Sequence, residues 1–211
     1  PINCALCEVI YGLRQVGVGF GDQVVVQGAG GLGLYACAVA KDMGAHTVIA
    51  LDRLEARLEM ARALGADHTL NVDEYKTADG RIKKVRELTG GEGADVVAEV
   101  VGRPEVIPEG LRLLRNGGRY LVIGSITRGQ VVPLDPSVVV GGGRAIVGVA
   151  AYDPWVLPEA LKFLQRNRAR YPFRRLLSHK FPLEAINEAF QQAEWLRASP
   201  TSVVRAAIVP W

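Results

Sequence analysis

The sequence lacks the features that define several large classes of protein. No apolar run approaches the roughly 20 residues that a bilayer-spanning helix needs, and no signal peptide is visible, so we expect no membrane partner. Only 3 cysteines occur among 211 residues, which indicates a reducing, cytoplasmic location without a disulfide framework. The net charge is only +3 and the basic residues are scattered, so we expect no nucleic-acid partner.

An initiator methionine and a recognisable metal-binding cluster are also missing. The sequence begins Pro1-Ile2-Asn3-Cys4, already inside an apolar, helix-like run, which predicts a chain cut from a longer one. The three histidines, His46, His68 and His179, share no metal-ligand spacing, and we interpret them as structural. Cys37, set among alanine and valine in a predicted helix, is interpreted as a small core residue.

The sequence does contain a regular alternation of strand and helix signals. Strands are predicted over 23–27, 47–51, 68–72, 95–100, 120–123 and 145–149, and helices over 32–43, 54–64, 81–88, 105–115 and 158–168. The strands are almost continuously apolar, which indicates burial on both faces, and parallel strands need crossover helices. We therefore predict an α/β fold, a doubly wound Rossmann sheet of six parallel strands in the order 3-2-1-4-5-6.

A glycine-rich turn joins the first predicted strand to the first predicted helix, and it reads Gly28-Ala29-Gly30-Gly31-Leu32-Gly33. In this pattern Gly28 permits the tight turn, Gly30 lets the backbone approach a pyrophosphate, and Gly33 lets helix and strand pack closely. The helix beginning there offers unpaired N–H groups and a partial positive charge to phosphates. This context predicts a dinucleotide-binding site rather than a glycine-rich turn without a ligand.

An acidic residue follows at the end of the second predicted strand. Asp52 lies 19 residues beyond Gly33, where a carboxylate can accept both hydroxyls of the adenosine ribose and repel a 2′-phosphate. The same side chain could also form the N-cap of the next helix, and the two roles are compatible. Arg53 and Arg57 are close in sequence and are of the type that an NADP site uses. The position of the acid favours NAD over NADP.

These motifs, with others, resemble the medium-chain dehydrogenase/reductase family, and within it the zinc-dependent alcohol dehydrogenases. The resemblance spans essentially the whole chain. It rests on Cys4 through Tyr11-Gly12-Leu13, the glycine turn, Asp52, Leu64-Gly65-Ala66-Asp67, Ala98-Glu99-Val100-Val101-Gly102, Gly117-Gly118-Arg119-Tyr120, Val122-Ile123-Gly124 and Arg205-Ala206-Ala207-Ile208-Val209. It implies hydride transfer between an alcohol or carbonyl substrate and a nicotinamide cofactor, and a homodimer formed through strand 145–149.

The resemblance also implies further cofactor contacts. Arg57 corresponds to a residue that touches the ribose, Val101 and Arg103 line the adenine and nicotinamide sides, and backbone groups of Ile123 and Ser125 meet the carboxamide. Arg205 corresponds to an arginine that pairs with the pyrophosphate, although the residues alone favour a solvated strand position. The predicted cofactor-binding set is Gly28, Gly30, Gly31, Leu32, Gly33, Asp52, Arg53, Arg57, Val101, Arg103, Ile123, Ser125 and Arg205.

Cys4 corresponds, by the same resemblance, to a protein ligand of the catalytic zinc. One thiolate cannot hold zinc, which needs three or four protein ligands. The resemblance places the others in an N-terminal domain of roughly 150 residues that the sequence does not include. We therefore expect no complete catalytic set, no bound zinc and no alcohol turnover by this chain alone. The Cys4-Ala5-Leu6-Cys7 spacing also fits a redox pair or half of a zinc ribbon, but no second pair follows.

The two ends fall outside the predicted sheet. A helix over 3–16 leads into it, and a strand over 180–181, a helix over 183–195 and a strand over 203–209 follow it. We expect residues 1–170 to form the NAD(P)-binding domain and residues 171–211 to be a C-terminal helix and strand that would join the missing catalytic domain. Strand 203–209 would then lack its partners, and we predict that it is disordered or pairs with another copy.

Two other functions remain open from the sequence. A zinc-free quinone or enoyl reductase of the same family is one, although that branch usually has a different glycine turn. A non-enzymatic nucleotide-sensing Rossmann module is the other. A short-chain reductase is disfavoured, because none of the 6 tyrosines is followed four residues later by lysine.

Overall fold

The computed structural model describes residues 2–193 and 204–209, which contain a six-stranded parallel sheet and a separate two-stranded sheet. The large sheet consists of β1 (Gln23–Gln27), β2 (Thr47–Asp52), β3 (His68–Asn71), β4 (Ala94–Glu99), β5 (Leu114–Val122) and β6 (Ala145–Gly148). Their spatial order is β3-β2-β1-β4-β5-β6, with every neighbouring pair parallel. The predicted fold class and strand order are confirmed.

Helices precede, connect and follow these strands. They are α1 (Glu8–Gln15), α2 (Gly31–Asp42), α3 (Glu55–Ala63), α4 (Ala78–Leu88), α5 (Ile107–Leu113), α6 (Pro136–Gly141), α7 (Val156–Asn167) and α8 (Ile186–Ala193). A π-helical segment, Ile2–Cys7, precedes α1, and 3₁₀ turns lie at Pro104–Val106, Phe173–Leu176 and Leu183–Ala185. Residues 194 and 195 of the predicted helix over 183–195 lie outside the described residues.

Several predicted bounds differ from those in the structure, and one helix was not predicted. The helix predicted over 105–115 ends at Leu113, because the chain turns directly into β5 at Leu114. The glycine- and proline-rich loop before β6, where we predicted no element, contains α6. This helix has Pro136 in its first turn, and the Asp135 side chain caps it by accepting from the Ser137 amide at 2.9 Å.

The sheet separates two apolar layers, as its strand sequences require. Alternate residues of a strand point to opposite faces, and in β1 the side chains of Val24 and Val26 join one cluster while Val25 joins the other. The first layer contains residues of α1, α2, α3 and α7, and the second contains residues of α4 and α5. Burial on both faces explains why the central strands β1, β2 and β4 are apolar without alternation. In the described part of the chain, no helix is long and apolar enough to span a bilayer.

The C-terminal strand has a partner within the chain. The small sheet pairs β7 (His179–Pro182) with β8 (Ala206–Val209) in parallel, with His179 opposite Ala206 and Phe181 opposite Ile208. The prediction that strand 203–209 is disordered or pairs with another copy is therefore wrong for its described residues. The reason is that β7, which precedes it in the same chain, supplies the ladder hydrogen bonds that we had assigned to a missing domain.

A buried hydrogen bond between two strands supports the centre of the large sheet. The Tyr120 hydroxyl donates to Gln27 Oε1 at 2.8 Å, and Gln27 Nε2 donates to the carbonyl of Val106 at 3.2 Å. Burial, with the nearby carboxylates of Glu99 and Glu109 as smaller causes, raises the pKa of Tyr120, so its hydroxyl remains a donor. This chain of bonds joins β5, β1 and the turn before α5.

We expect Tyr120→Phe to lower the free energy of unfolding by about 1–3 kcal/mol, because it leaves Gln27 Oε1 buried without a donor. Urea denaturation measures the change. Tyr11→Phe is the matched control, since the Tyr11 hydroxyl has no hydrogen-bond partner among the described residues, and it should change stability by less than about 0.5 kcal/mol. Equal stabilities of the two variants would contradict the prediction.

Candidate nucleotide-binding site

The turn between β1 and α2 has the backbone geometry that its glycines were expected to provide. Gly28 has φ +96°, a conformation that side chains other than glycine rarely adopt. A Cβ on Gly33 would lie 1.7 Å from the carbonyl oxygen of Gly28, so the first turn of α2 packs directly on the end of β1. A Cβ on Gly30 would meet nothing within 4 Å, so open space lies beside that residue.

The N-terminus of α2 faces this open space with its backbone donors available. Gly30 is the N-cap of α2 and provides no side-chain cap. The first N–H groups of a helix have no intrahelical acceptor, and they carry the positive end of the helix dipole. Leu32, in this first turn, packs its side chain against the core while its backbone stays in the turn. The helix N-terminus and the open space therefore have the features that an anion-binding site needs, at the position predicted for the pyrophosphate.

The side chain of Arg205 lies against this turn at Gly31. Its guanidinium packs on Gly31 so closely that a Cβ there would lie 2.6 Å from Arg205 Nε. Both Nε and Nη2 of Arg205 are buried and have no hydrogen-bond partner. Burial raises the pKa of Tyr35, and the nearby Arg205 charge opposes that shift. Burying two N–H donor atoms of a cationic group without acceptors costs free energy, and an anion bound at the turn would accept hydrogen bonds from both.

The backbone of Arg205 is fixed by Ser178, which precedes β7. The Ser178 hydroxyl donates to the Arg205 carbonyl at 3.0 Å and accepts from the amides of Val204, at 3.0 Å, and Arg205, at 3.3 Å. The Ser178 amide also donates to the Arg205 carbonyl at 3.0 Å. The C-terminal segment, far from the turn in sequence, is thus held where its arginine reaches the turn.

Asp52 lies at the end of β2 and braces the glycine turn. Its Oδ2 accepts from the Ala29 amide at 2.8 Å, and its Oδ1 accepts from the amides of Arg53, at 2.8 Å, and Leu54, at 3.0 Å. The N-cap of α3 is Leu54, without a side-chain cap, so the alternative prediction of Asp52 as N-cap is wrong. The carboxylate reaches the amides just before the helix rather than those in its first turn.

The two arginines beside Asp52 have different partners. Arg57 Nη1 lies 3.8 Å from Asp52 Oδ2, and its side chain is 22% exposed. Arg53 turns instead toward β3, where its Nε lies 3.1 and 3.2 Å from the two carboxylate oxygens of Asp73. The two arginines and two aspartates leave this end of the site with balanced charge.

Glu99 is a functional candidate that the sequence analysis quoted in a motif but did not assign to the site. Its side chain is fully buried at the end of β4, where Oε1 accepts from the amides of Val101, at 2.8 Å, and Gly102, at 2.7 Å. Oε2 accepts from the Ser125 amide at 2.9 Å. One carboxylate therefore joins the loops after β4 and β5. The sequence feature that could have identified Glu99 is a charged residue at the end of an otherwise apolar strand.

These bonds modify the roles expected on the nicotinamide side. The amides of Ile123 and Ser125 both donate within the protein, to the carbonyl and the side chain of Glu99 respectively. The Ser125 hydroxyl is buried without a partner and remains available. Val101 lies against Gly28, with its Cγ2 3.0 Å from a Cβ built there. Arg103 is exposed, and its side chain makes no hydrogen bond or ion pair with the described residues.

The cysteines do not form a metal or redox centre within the described residues. Cys4 is exposed in the π-helical segment, and the described residues include no group of three histidine, cysteine, aspartate or glutamate side chains that could hold a metal ion. Cys7 is buried, and burial raises the pKa of its thiol, which disfavours a redox role. Cys37 is buried in the core as predicted, and burial raises its pKa to about 12. The residues present therefore do not fit a complete zinc site.

Comparison with known proteins gives consistent matches. The profile of a family described as zinc-binding dehydrogenase matches residues 31–166. The chain is 35% identical over 191 residues to 5-exo-hydroxycamphor dehydrogenase of Pseudomonas putida, covering 90% of this chain and 53% of that protein. It is 34% identical over 210 residues to erythritol/L-threitol dehydrogenase of Mycolicibacterium smegmatis, covering 100% and 54%.

Solved structures agree with these sequence matches. Alcohol dehydrogenase from Thermotoga maritima superposes with a TM-score of 0.83 at 30% identity, covering 89% of this chain and 51% of that one. Benzyl alcohol dehydrogenase from Acinetobacter calcoaceticus superposes with a TM-score of 0.83 at 28% identity, covering 99% and 55%. The chain spans about half the length of the relatives it matches.

We expect Glu99→Gln to destabilise the chain by about 1–3 kcal/mol, because an amide NH₂ replaces one oxygen that accepts a buried backbone N–H. Urea denaturation measures this change, and faster hydrogen exchange at the amides of Gly102 or Ser125 locates it. Glu105→Gln, on a nearby exposed glutamate, is the control and should be nearly neutral. Unchanged stability and unchanged exchange in Glu99→Gln would contradict the bracing role.

Proposed function

Since the chain belongs to the zinc-binding dehydrogenases of the medium-chain dehydrogenase/reductase family, we propose that it is the NAD-binding part of an alcohol or polyol dehydrogenase. The family is NAD(P)-dependent and contains zinc. On its own, the chain binds the dinucleotide but does not oxidise alcohols. The observation that carries the proposal is that Nε and Nη2 of Arg205, which packs on the glycine turn, are buried without a hydrogen-bond partner.

In this proposal the pyrophosphate occupies the space beside Gly30, between the N-terminus of α2 and Arg205. The open space at Gly30, the free N–H groups of the first turn and the two unpaired nitrogens of Arg205 support this placement. Helix dipole and guanidinium both favour negative charge at the same point. Gly31 carries no Cβ because Arg205 occupies the space that one would need.

Asp52 and its neighbours would bind the adenosine ribose. Three backbone N–H groups already use three acceptor sites of the Asp52 carboxylate, so a ribose hydroxyl would take the remaining acceptor capacity. Asp52 is held rigidly by these bonds and would repel a 2′-phosphate at close range. These features support NAD rather than NADP as the cofactor.

The loops after β4 and β5 would bind the nicotinamide end. Val101, Ile123 and Ser125 lie on these two loops, which Glu99 holds together, and the Ser125 hydroxyl offers an unpaired polar group. Arg103, exposed at the rim, completes the proposed set. The nicotinamide ring, when bound, supplies the acceptor or donor for a hydride, and these residues set its position and exclude water. Cys4 would contribute one zinc ligand in the full enzyme, but the described residues hold no complete ligand set.

The domain division and assembly are parts of the same proposal. We assign residues 1–170 to cofactor binding and residues 171–211 to contact with the remaining half of the enzyme. Arg205 is an exception, because it lies in the second segment but would bind the cofactor. One of the two edges of the large sheet is β6, where Ile146 is 43% exposed, and this edge suits a homodimer contact. Substrates would be small alcohols or carbonyl compounds. The three free cysteines are consistent with a cytoplasmic location.

We expect Arg205→Gln to weaken NADH binding by about 10- to 150-fold, equivalent to a charge-assisted hydrogen bond to phosphate of about 1.5–3 kcal/mol. Because Nε and Nη2 are buried without a hydrogen-bond partner, the variant should be at least as stable as the parent chain. NADH fluorescence titration and urea denaturation measure the two effects. Arg168→Gln, on an exposed residue at the end of α7, removes the same charge as a control. Unchanged NADH affinity in Arg205→Gln would contradict the proposal.

The described part of the chain contains too few zinc-ligand candidates for alcohol oxidation. We expect the purified 211-residue chain, with NAD and zinc, to show no oxidation of ethanol, benzyl alcohol or erythritol above the rate without protein. The reason is that Cys4 is the single zinc-ligand candidate that the resemblance places among the described residues. Reduction of NAD is followed by absorbance of NADH. Measurable turnover by this chain would overturn the claim that it binds cofactor without catalysis.

A further inference from the structure

The ion pair between Arg53 and Asp73 lies at the ribose end of the proposed site. The Arg53 amide donates to Asp52 Oδ1 at 2.8 Å, while its Nε lies within 3.2 Å of both Asp73 carboxylate oxygens. Asp73 is positioned by its own amide, which donates to Asn71 Oδ1 at 3.0 Å. Asn71 is opposite Asp52 in the β2–β3 register, so the loop carrying Asp73 begins beside the ribose acid.

We propose that Asp73 is a specificity-determining residue that makes the site discriminate against NADP, by neutralising and holding Arg53. The inference rests on the proposed function and goes beyond the expected role of Asp52. An arginine directly after this acid is the group that could bind a 2′-phosphate. In this chain that arginine already has a carboxylate partner, since its Nε lies within hydrogen-bond distance of both Asp73 oxygens. A phosphate would have to displace Asp73 and would then meet two carboxylates.

The charge balance around Asp52 supports the proposal. Asp52 and Asp73 carry two negative charges, and Arg53 and Arg57 carry two positive ones, with Arg57 lying 3.8 Å from Asp52. Loss of the Asp73 charge leaves a net positive charge at the ribose end and a guanidinium without its carboxylate partner. A 2′-phosphate carries nearly two negative charges, whereas the 2′-hydroxyl of NAD is neutral. The same change therefore acts strongly on one cofactor and weakly on the other.

The pair is exposed, so its effect on folding should be small. The side chains of Arg53 and Asp73 are 58% and 57% exposed, and such ion pairs contribute little to stability. Asp73→Asn should therefore leave the folded structure intact. Its effect on cofactor choice should decrease as salt concentration rises, because exposed charges are screened. A purely structural role for Asp73 would not give this salt dependence.

The test is titration of the 211-residue chain with NADH and NADPH at low and high salt. We expect the parent chain to favour NADH. In Asp73→Asn, NADPH affinity should rise by about tenfold at low salt, and NADH affinity should change by less than about twofold. The double variant Arg53→Gln/Asp73→Asn should lose the gain, since the arginine would be the group that binds the phosphate.

Asp79→Asn is the matched control. Asp79 is also an exposed aspartate paired with an arginine, Arg112, but it lies in α4 rather than beside the ribose acid. Its substitution removes the same charge and should leave the preference between the cofactors unchanged. An equal gain in NADPH affinity from Asp79→Asn would show a general charge effect and overturn the inference.

The outcomes separate this inference from the proposed function. Binding of neither nucleotide by the parent chain would overturn the proposed function and this inference with it. If the parent chain binds NADH, but Asp73→Asn prefers NADH over NADPH to the same degree as the parent, only the inference is overturned. A gain that persists in the double variant would overturn the claim that Asp73 acts through Arg53.

Discussion

The close packing of Gly33 on the carbonyl of Gly28 is the constraint on which the rest of the site depends. Only a residue without Cβ permits this approach, since a Cβ would lie 1.7 Å from that oxygen. The contact brings the first turn of α2 directly over the end of β1, at the centre of the sheet. The Gly28 amide donates to the Leu51 carbonyl at 2.8 Å, which ties the turn to β2. The donors of the helix N-terminus are thus presented at one fixed point.

Carboxylates on both neighbours of β1 hold the surrounding loops in place. Asp52 ends β2 and accepts from the glycine turn, while Glu99 ends β4 and accepts from the loops after β4 and β5. Both side chains satisfy backbone N–H groups that the strand ends leave without partners. In the proposed function Asp52 would also discriminate between the nucleotides, so one carboxylate would both hold the turn and recognise the cofactor.

The sequence predicts the large sheet well because its signals are local. Apolar strands, intervening helices and the glycine turn each lie within a short segment, and their order determines the topology. The bracing role of Glu99 was not predicted, because its bond to Ser125 joins residues 26 positions apart. The β7–β8 pair was missed for the same reason, since Ser178 and Arg205 are 27 positions apart. Such contacts depend on the assembled fold rather than on a local pattern.

Arg205 connects the C-terminal segment with the glycine turn, and its buried Nε and Nη2, which have no hydrogen-bond partner, are the most specific support for the proposed phosphate position. The most direct measurement is a crystal structure of the chain grown with NADH. We expect the pyrophosphate between the N-terminus of α2 and the Arg205 guanidinium, with both unpaired nitrogens bonded to phosphate oxygens. A nucleotide bound elsewhere, or an Arg205 side chain turned away from the phosphates, would contradict the proposed site.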